Sequence, residues 1–109
     1  MIKSLSLLIR KPDMTREQFR EVWENEHAPM VRSVPEVRKY VLSFVLDQPK
    51  TSNAPVPVLD VDAVAELWFD DVESMQRANA RPEMQAVRAN GSKYLGAIKP
   101  LITEEVEVI

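Results

Sequence analysis

The chain has 109 residues, 45% of them hydrophobic and 28% charged, with a formal net charge of −3. These values are typical of a globular protein, and we expect a single domain over residues 1–109. The chain has no cysteine and one histidine, His27. This excludes disulfides, thiolate nucleophiles and a multi-histidine metal site within one chain. No basic cluster suggests nucleic-acid binding and no apolar run could span a membrane, so we expect a cytoplasmic protein.

Two short segments in the first half of the chain predict β-strands. Residues 2–9 form an apolar run that is typical of a buried strand, and Ser4 and Ser6 share one of its faces. If that face lies beneath the helices, the two small serines leave room for a ligand. Residues 37–46 are rich in β-branched and aromatic side chains and predict the second strand, with Tyr40 near its start.

A helix is predicted between these two strands. The segment Thr15–Gln18 has the spacing of a capping box, which marks a helix N-terminus. Phe19 and Trp23 lie on one stripe at helical spacing, and His27 falls on the same stripe. Proline lacks the backbone N–H that a helix interior needs, so we expect the helix to kink or change register just before Pro29.

The second half of the chain predicts a loop and two further strands. Residues 48–60 contain three prolines among polar residues and form a long loop of the kind that often has a function. Alternating apolar residues at 62–69 predict the third strand. We expect a turn at 92–97 and a last strand at 102–108.

Between the third and fourth strands the pattern predicts a helix that is interrupted once. We expect Asp70, with Glu73 three residues later, to cap its N-terminus. Pro82 suits a first helical position and should break and restart the helix. The pair Asn90–Gly91 predicts a left-handed C-terminal cap.

The element order β-α-β-β-α-β is that of the ferredoxin-like α+β fold, an antiparallel sheet with two helices on one face. Two helices leave the other face of the sheet open, and that face must take apolar side chains. A homodimer that pairs the two open faces would bury them. The residues available for this interface, depending on strand parity, are Val41, Val45, Val64 and Trp68.

His27 and Tyr40 are the residues that best fit a catalytic role. His27 is either a core histidine or a general acid/base in an apolar pocket. Tyr40 is either a strand aromatic with a solvated hydroxyl or a phenol that donates to a substrate oxygen. Glu66 lies in an apolar strand, and we expect a salt bridge to compensate its charge.

Three segments of the sequence resemble the EthD family. They are residues 7–23, from Leu-Leu-Ile-Arg-Lys-Pro-Asp to Arg-Glu-Val-Trp, residues 26–31 (Glu-His-Ala-Pro-Met-Val), and residues 64–70 (Val-Ala-Glu-Leu-Trp-Phe-Asp). The resemblance extends over nearly the whole chain. It implies a dimeric α+β barrel, in agreement with the pattern-based fold.

The C-terminal part, residues 93–105, is most similar to the methylmuconolactone methylisomerase branch of that family. The resemblance implies an enzyme that rearranges small lactone acids without a cofactor. It places His27 and Tyr40 at polar pocket positions, whereas Leu67 stands where the branch is expected to have a cysteine. The loop at 48–60 also lacks the histidine expected in the branch.

We therefore expect a cofactor-independent enzyme that acts on a lactone-like or carbonyl substrate by histidine general acid/base catalysis. Isomerase, dehydratase, cyclase and lyase chemistry all fit these residues. The alternatives are a structural dimer, a non-catalytic binding protein and a haem-binding barrel, the last recognisable by a Soret band. The expected catalytic residues are His27 and Tyr40, and the expected substrate-binding residues are Ser6, Trp23, Leu67 and Phe69.

Overall fold

The computed structural model describes residues 1–51 and 53–109. Within them, one layer of helices packs on one face of a four-stranded antiparallel sheet with the strand order β2-β3-β1-β4. This arrangement confirms the predicted ferredoxin-like α+β fold. The strands are β1 (Ile2–Arg10), β2 (Lys39–Phe44), β3 (Ala63–Phe69) and β4 (Leu95–Glu104), and the α-helices are α1 (Arg16–Val22), α2 (Val72–Ala80) and α3 (Pro82–Gly91).

The helical segment after β1 changes register twice, at Trp23 and at Ala28, and the second change lies just before Pro29, as predicted. The predicted capping box at Thr15 and Gln18 is present at the start of α1. A π-helical turn (Trp23–His27) and a 3₁₀ helix (Ala28–Ser33) follow α1. In the π-helical turn the N–H of Ala28 donates to the carbonyl of Trp23, five residues back. The wider turn moves His27 relative to a regular helix, and such turns are frequent at functional sites.

Two buried clusters lie between the sheet and the helices. Even-numbered residues of β1 and odd-numbered residues of β3 face this layer, because side chains alternate along a strand. One cluster joins α1 to the sheet and the other joins α2, α3 and the 3₁₀ helix to it. Their buried members are Leu8, Phe19, Trp23, Ala63 and Ala65 in the first, and Val31, Val34, Phe69, Ala78, Met84 and Val87 in the second.

The N-terminal cap of α2 is one residue later than predicted. The side chain of Asp71, not Asp70, accepts from the backbone N–H of Ser74. Asp70 instead pairs with Arg38, at 2.8 Å between Oδ2 and Nη2. The prediction was wrong because strand β3 runs to Phe69, and Asp70 follows it in the bend before the helix.

The predicted left-handed cap at Asn90–Gly91 is also wrong. Helix α3 includes Gly91, no glycine has a positive φ among the described residues, and the helix ends at Ser92 with right-handed angles. The glycine instead leaves room for the stacked rings of Trp23 and His27. A Cβ at position 91 would lie 3.0 Å from Cε1 of His27 and 3.2 Å from Cη2 of Trp23.

The last strand begins and ends earlier than predicted. Residues 92–94 form the expected turn, but residues 95–104 belong to the strand that pairs with β1, so the second half of the expected turn at 92–97 and the last residues of the expected strand at 102–108 were misassigned. Pro100 is tolerated because β4 is an edge strand. Gly96 allows close approach, since a Cβ there would lie 2.8 Å from the carbonyl oxygen of Arg10.

The face of the sheet away from the helices is uncovered. Glu66 lies there and makes the predicted salt bridge, 2.8 Å from Nζ of Lys3. Trp68 lies between two ammonium groups, with Nζ of Lys3 5.2 Å and Nζ of Lys39 4.9 Å from its ring centre. Within the described part of the chain, no helix is long and apolar enough to cross a membrane.

Candidate active site

A cavity of about 730 Å³ lies between the helical layer and the sheet. This volume is within the range usual for small-molecule sites, and such sites are mostly apolar with a few polar groups. The space exists because Ser4, Ser6 and Ala65 place small side chains beneath the helices. The cavity walls combine members of both buried clusters with residues of β4.

All six residues predicted for the site line this cavity. The sheet contributes four of them and the π-helical turn after α1 contributes two. Trp68 lies between Leu67 and Phe69 in the sequence, but its side chain points to the open face of the sheet and does not line the cavity. The six residues are Ser6, Trp23, His27, Tyr40, Leu67 and Phe69.

His27 is buried and held in an aromatic stack. Its side chain is 5% exposed. Its ring centre is 3.8 Å from that of Trp23, and Trp23 in turn stacks on Phe19 at 5.2 Å. The predicted stripe of three residues therefore exists, and it fixes the plane of the imidazole against the cavity.

Burial lowers the pKa of His27 below its ordinary value of 6.5. Removing the imidazolium from water is the dominant cause. A hydrogen bond with Asn90 and the negative charge of Glu26 act in the opposite direction and offset part of this effect. The imidazole is therefore neutral at pH 7, which is the state that a general base needs.

Asn90 and Glu26 form a hydrogen-bonded network with His27. Nδ1 of His27 lies 3.0 Å from Oδ1 of Asn90. The amide nitrogen of Asn90 donates to a carboxylate oxygen of Glu26 at 3.1 Å, and the hydroxyl of Tyr94 donates to the same oxygen. Sequence analysis missed these contacts, because Asn90 was interpreted only as part of a helix cap.

Tyr40 and Trp23 present two hydrogen-bond donors to the cavity. Burial raises the pKa of Tyr40 to about 12, so its hydroxyl stays protonated. The indole N–H of Trp23 is near enough to Tyr40 to oppose this shift slightly. Among the described residues, this N–H is the one buried side-chain polar atom without a hydrogen-bond partner. Such atoms are rare in native proteins, and a ligand oxygen would satisfy this one.

Arg88 is a second residue that sequence analysis missed. Among the described residues that line the cavity, it carries the only permanent charge. The residue is exposed, and one of its terminal nitrogens donates to the carbonyl of Asn79, another residue of the cavity lining, at 2.9 Å. An arginine in this position suits a carboxylate group on a ligand.

A second cavity, of about 460 Å³, lies on the other side of Tyr40. Its walls carry several charged residues, and they include no histidine. Among the described residues, no group of three histidine, aspartate or glutamate side chains could hold a metal ion. The larger cavity remains the candidate site, because it has the apolar lining and contains His27.

The fold and the site together define a ferredoxin-like α+β protein with a small-molecule cavity between its helices and its sheet. The EthD domain matches residues 11–96, and the chain belongs to the EthD family. The resemblance found in the sequence is thereby confirmed.

A curated relative and two solved structures are similar to this chain. A 4-carboxymethyl-4-methylbutenolide mutase from Pseudomonas reinekei is 34% identical, over 97% of this chain and 99% of that protein. The crystal structure of an EthD-family protein from Bacillus halodurans is 26% identical with a TM-score of 0.78, covering 97% and 99% of the two chains. A dimeric ferredoxin-like protein from Bacteroides fragilis is 11% identical with a TM-score of 0.69, covering 95% of each chain.

Proposed function

We propose that the protein is a cofactor-independent isomerase that acts on a small lactone bearing a carboxylate group. One observation carries this proposal. Among the described residues of the cavity, His27 is the only one that can gain or lose a proton near neutral pH. The relative named as a carboxymethyl-butenolide mutase supports the substrate class.

In the proposed reaction His27 moves a proton within the substrate. Its imidazole takes a proton from the carbon next to the substrate's carboxylate, and the ring C–O bond breaks, so that the ring oxygen leaves as a second carboxylate. A carboxylate oxygen then forms a new C–O bond at another carbon of the resulting diene and the imidazolium returns the proton, so the product is an isomer of the substrate. Tyr40 donates a hydrogen bond to the oxygen that gains negative charge. The unpartnered N–H of Trp23 lies near Tyr40 and can donate to the same oxygen.

Leu67 limits the chemistry on its side of the cavity. It replaces the cysteine expected in the methylmuconolactone methylisomerase branch, and a leucine cannot transfer a proton. The proposed reaction therefore uses His27 alone as the proton carrier. The apolar wall formed by Leu67 and Phe69 favours a lactone ring with alkyl substituents.

A direct assay tests this proposal. The protein is incubated with 4-carboxymethyl-4-methylbutenolide in buffer containing a chelator, and the lactone is followed by proton NMR. We expect conversion to a product of the same mass. If neither this lactone nor its ring-methylated isomers react, the substrate class is wrong. A requirement for an added metal or redox cofactor would contradict the proposed cofactor independence.

The pH dependence of the reaction should report the ionisation of His27. Because burial lowers its pKa, kcat/KM should rise with pH and reach a plateau with a midpoint below 6.5. Tyr40 loses its proton only at about pH 12, so the plateau should extend beyond pH 9. The measurement is kcat/KM between pH 4.5 and 9.5. A midpoint above 6.5 would contradict the assignment of a buried neutral base.

Replacement of Arg88 should weaken the binding of anionic substrates. In Arg88→Met the apolar stem remains but the charge is lost, and we expect KM to rise about 10-fold or more with little change in kcat. The control is Arg32→Met, because Arg32 is exposed and does not line this cavity. An equal increase in KM in both variants would indicate a general charge effect and not recognition by Arg88.

We also propose that the protein is a homodimer joined through the open faces of its sheets. These faces expose apolar residues of all four strands around the Lys3–Glu66 pair, and a second copy would cover them. The dimeric protein of the same fold from Bacteroides fragilis is consistent with this arrangement. Light scattering at micromolar concentration should give twice the mass of the 12.5-kDa chain. A monomer would contradict the proposal.

A further inference from the structure

The network around Asn90 determines which nitrogen of His27 is available to a substrate. The side-chain amide of Asn90 has one end that donates and one that only accepts. Its partner Glu26 is a carboxylate whose pKa is lowered by the hydrogen bonds from Tyr94 and Asn90, so it is ionised at neutral pH and only accepts. The amide nitrogen must therefore face Glu26, at 3.1 Å, and the amide oxygen must face His27.

This orientation fixes the tautomer of the imidazole. The amide oxygen of Asn90 lies 3.0 Å from Nδ1 of His27 and cannot donate. A neutral imidazole carries one proton, and only a proton on Nδ1 makes this contact a hydrogen bond. Nε2 then carries the free electron pair. Since Nδ1 is used by Asn90 and the ring lines the cavity, Nε2 is the nitrogen left for a ligand.

We infer that Asn90 is a positioning residue, anchored by Glu26 and Tyr94, that holds His27 as the Nδ1–H tautomer and so presents Nε2 as the base. The inference rests on the proposed function for the role of the base, but the tautomer itself does not depend on any activity. Glu26 is adjacent to His27 in the chain, whereas Asn90 is 63 residues away. The network therefore also fastens α3 to the π-helical turn.

The single histidine makes the tautomer directly measurable. A long-range ¹H–¹⁵N correlation spectrum of uniformly ¹⁵N-labelled protein contains one imidazole pattern, since His27 is the only histidine. At a pH above its pKa we expect a protonated Nδ1 and an unprotonated Nε2. A protonated Nε2 would overturn the inference, even if His27 proved essential for turnover. This result comes from the unchanged protein, so it does not depend on a variant folding correctly.

Two variants of Asn90 test its effect on catalysis. Asn90→Leu removes the acceptor, and we expect the Nδ1–H pattern to be lost and kcat to fall about 10- to 100-fold with little change in KM. Asn90→Asp keeps an acceptor on Nδ1. It should retain the tautomer, and the added negative charge beside Glu26 shifts the pH midpoint of His27 upward. Because the donor to Glu26 is lost, kcat should fall, but by less than in Asn90→Leu. The control is Asn25→Leu, an exposed position in the same turn, which should change neither property.

The outcomes separate this inference from the proposed function. If the Nδ1–H tautomer is found and Asn90→Leu lowers kcat, both are supported. A second outcome is that the tautomer is found and Asn90→Leu leaves kcat unchanged, while His27→Ala abolishes turnover. In that case the positioning role of Asn90 is wrong, but the role of His27 as the base is supported. If His27→Ala is fully active, the proposed function fails whatever the tautomer is.

Discussion

Substitution of His27 by alanine should lower kcat about 10²–10⁴-fold, the usual contribution of a general acid/base. The reason is the composition of the cavity. Among its described lining residues no carboxylate, lysine or thiol can take over proton transfer, and Tyr40, with its pKa raised to about 12, stays protonated. The measurement is the initial rate of lactone conversion at saturating substrate, normalised to folded protein by circular dichroism.

Three controls accompany the His27→Ala variant. Asn25→Ala changes an exposed residue of the same π-helical turn and should leave the rate unaltered. His27→Gln keeps a polar side chain beside Asn90 and should be as inactive as the alanine variant if proton transfer is what was lost. Added imidazole, small enough for the vacated space, should restore part of the activity of His27→Ala. Unchanged turnover in a natively folded His27→Ala protein would remove His27 from the mechanism.

Substitution of Phe19 by alanine should cost about 3–5 kcal/mol of the free energy of unfolding. Phe19 is 1% exposed and is among the largest fully buried side chains of the described chain. Its ring stacks on Trp23, whose ring lies against His27, so the substitution leaves a void behind the stacked rings of Trp23 and His27. Such a loss is a large fraction of the stability of a domain of this size. Urea denaturation of both proteins measures it.

Phe44→Ala is the matched control for this stability prediction. Phe44 lies on the same side of the sheet, but on the edge strand β2, where it is half-buried beneath the guanidinium of Arg20 at 4.6 Å. The same truncation there should cost clearly less, because surrounding groups and water can fill the space. Equal losses in the two variants would show that the stack at Phe19 has no special importance for the core.

The elements defined by local patterns were predictable from the sequence. The capping box at Thr15, the stripe that leads to His27 and the restart at Pro82 all depend on residues within a few positions of one another. The bounds of β4 depend instead on its pairing with β1, about 90 residues away, and Gly96 was misread as a turn residue. Its small size serves close approach to the backbone at Arg10.

The residues of the candidate site also fall into two groups, those that could be identified from the sequence and those that depend on long-range packing. His27 and Tyr40 were identifiable because few titratable side chains occur in apolar segments of this chain, and the family resemblance placed them together. Arg88 and Asn90 were not identifiable, since both are on α3. Arg88 comes to line the cavity, and Asn90 to contact His27, only after the helical layer has folded onto the sheet. The pair Asn90–Gly91 has the composition of a helix cap. In the structure Asn90 instead hydrogen-bonds to the imidazole, and the missing Cβ of Gly91 leaves room for the ring.

We propose that His27 acts as the base on a lactone bound in the 730-Å³ cavity. A crystal structure with a saturated, unreactive lactone acid tests it most directly. We predict Nε2 of His27 within about 3.5 Å of the carbon that would lose its proton. The hydroxyl of Tyr40 should lie within about 3.2 Å of the carbonyl oxygen. A lactone bound in the smaller cavity, or bound with its ring out of reach of His27, would contradict the claim.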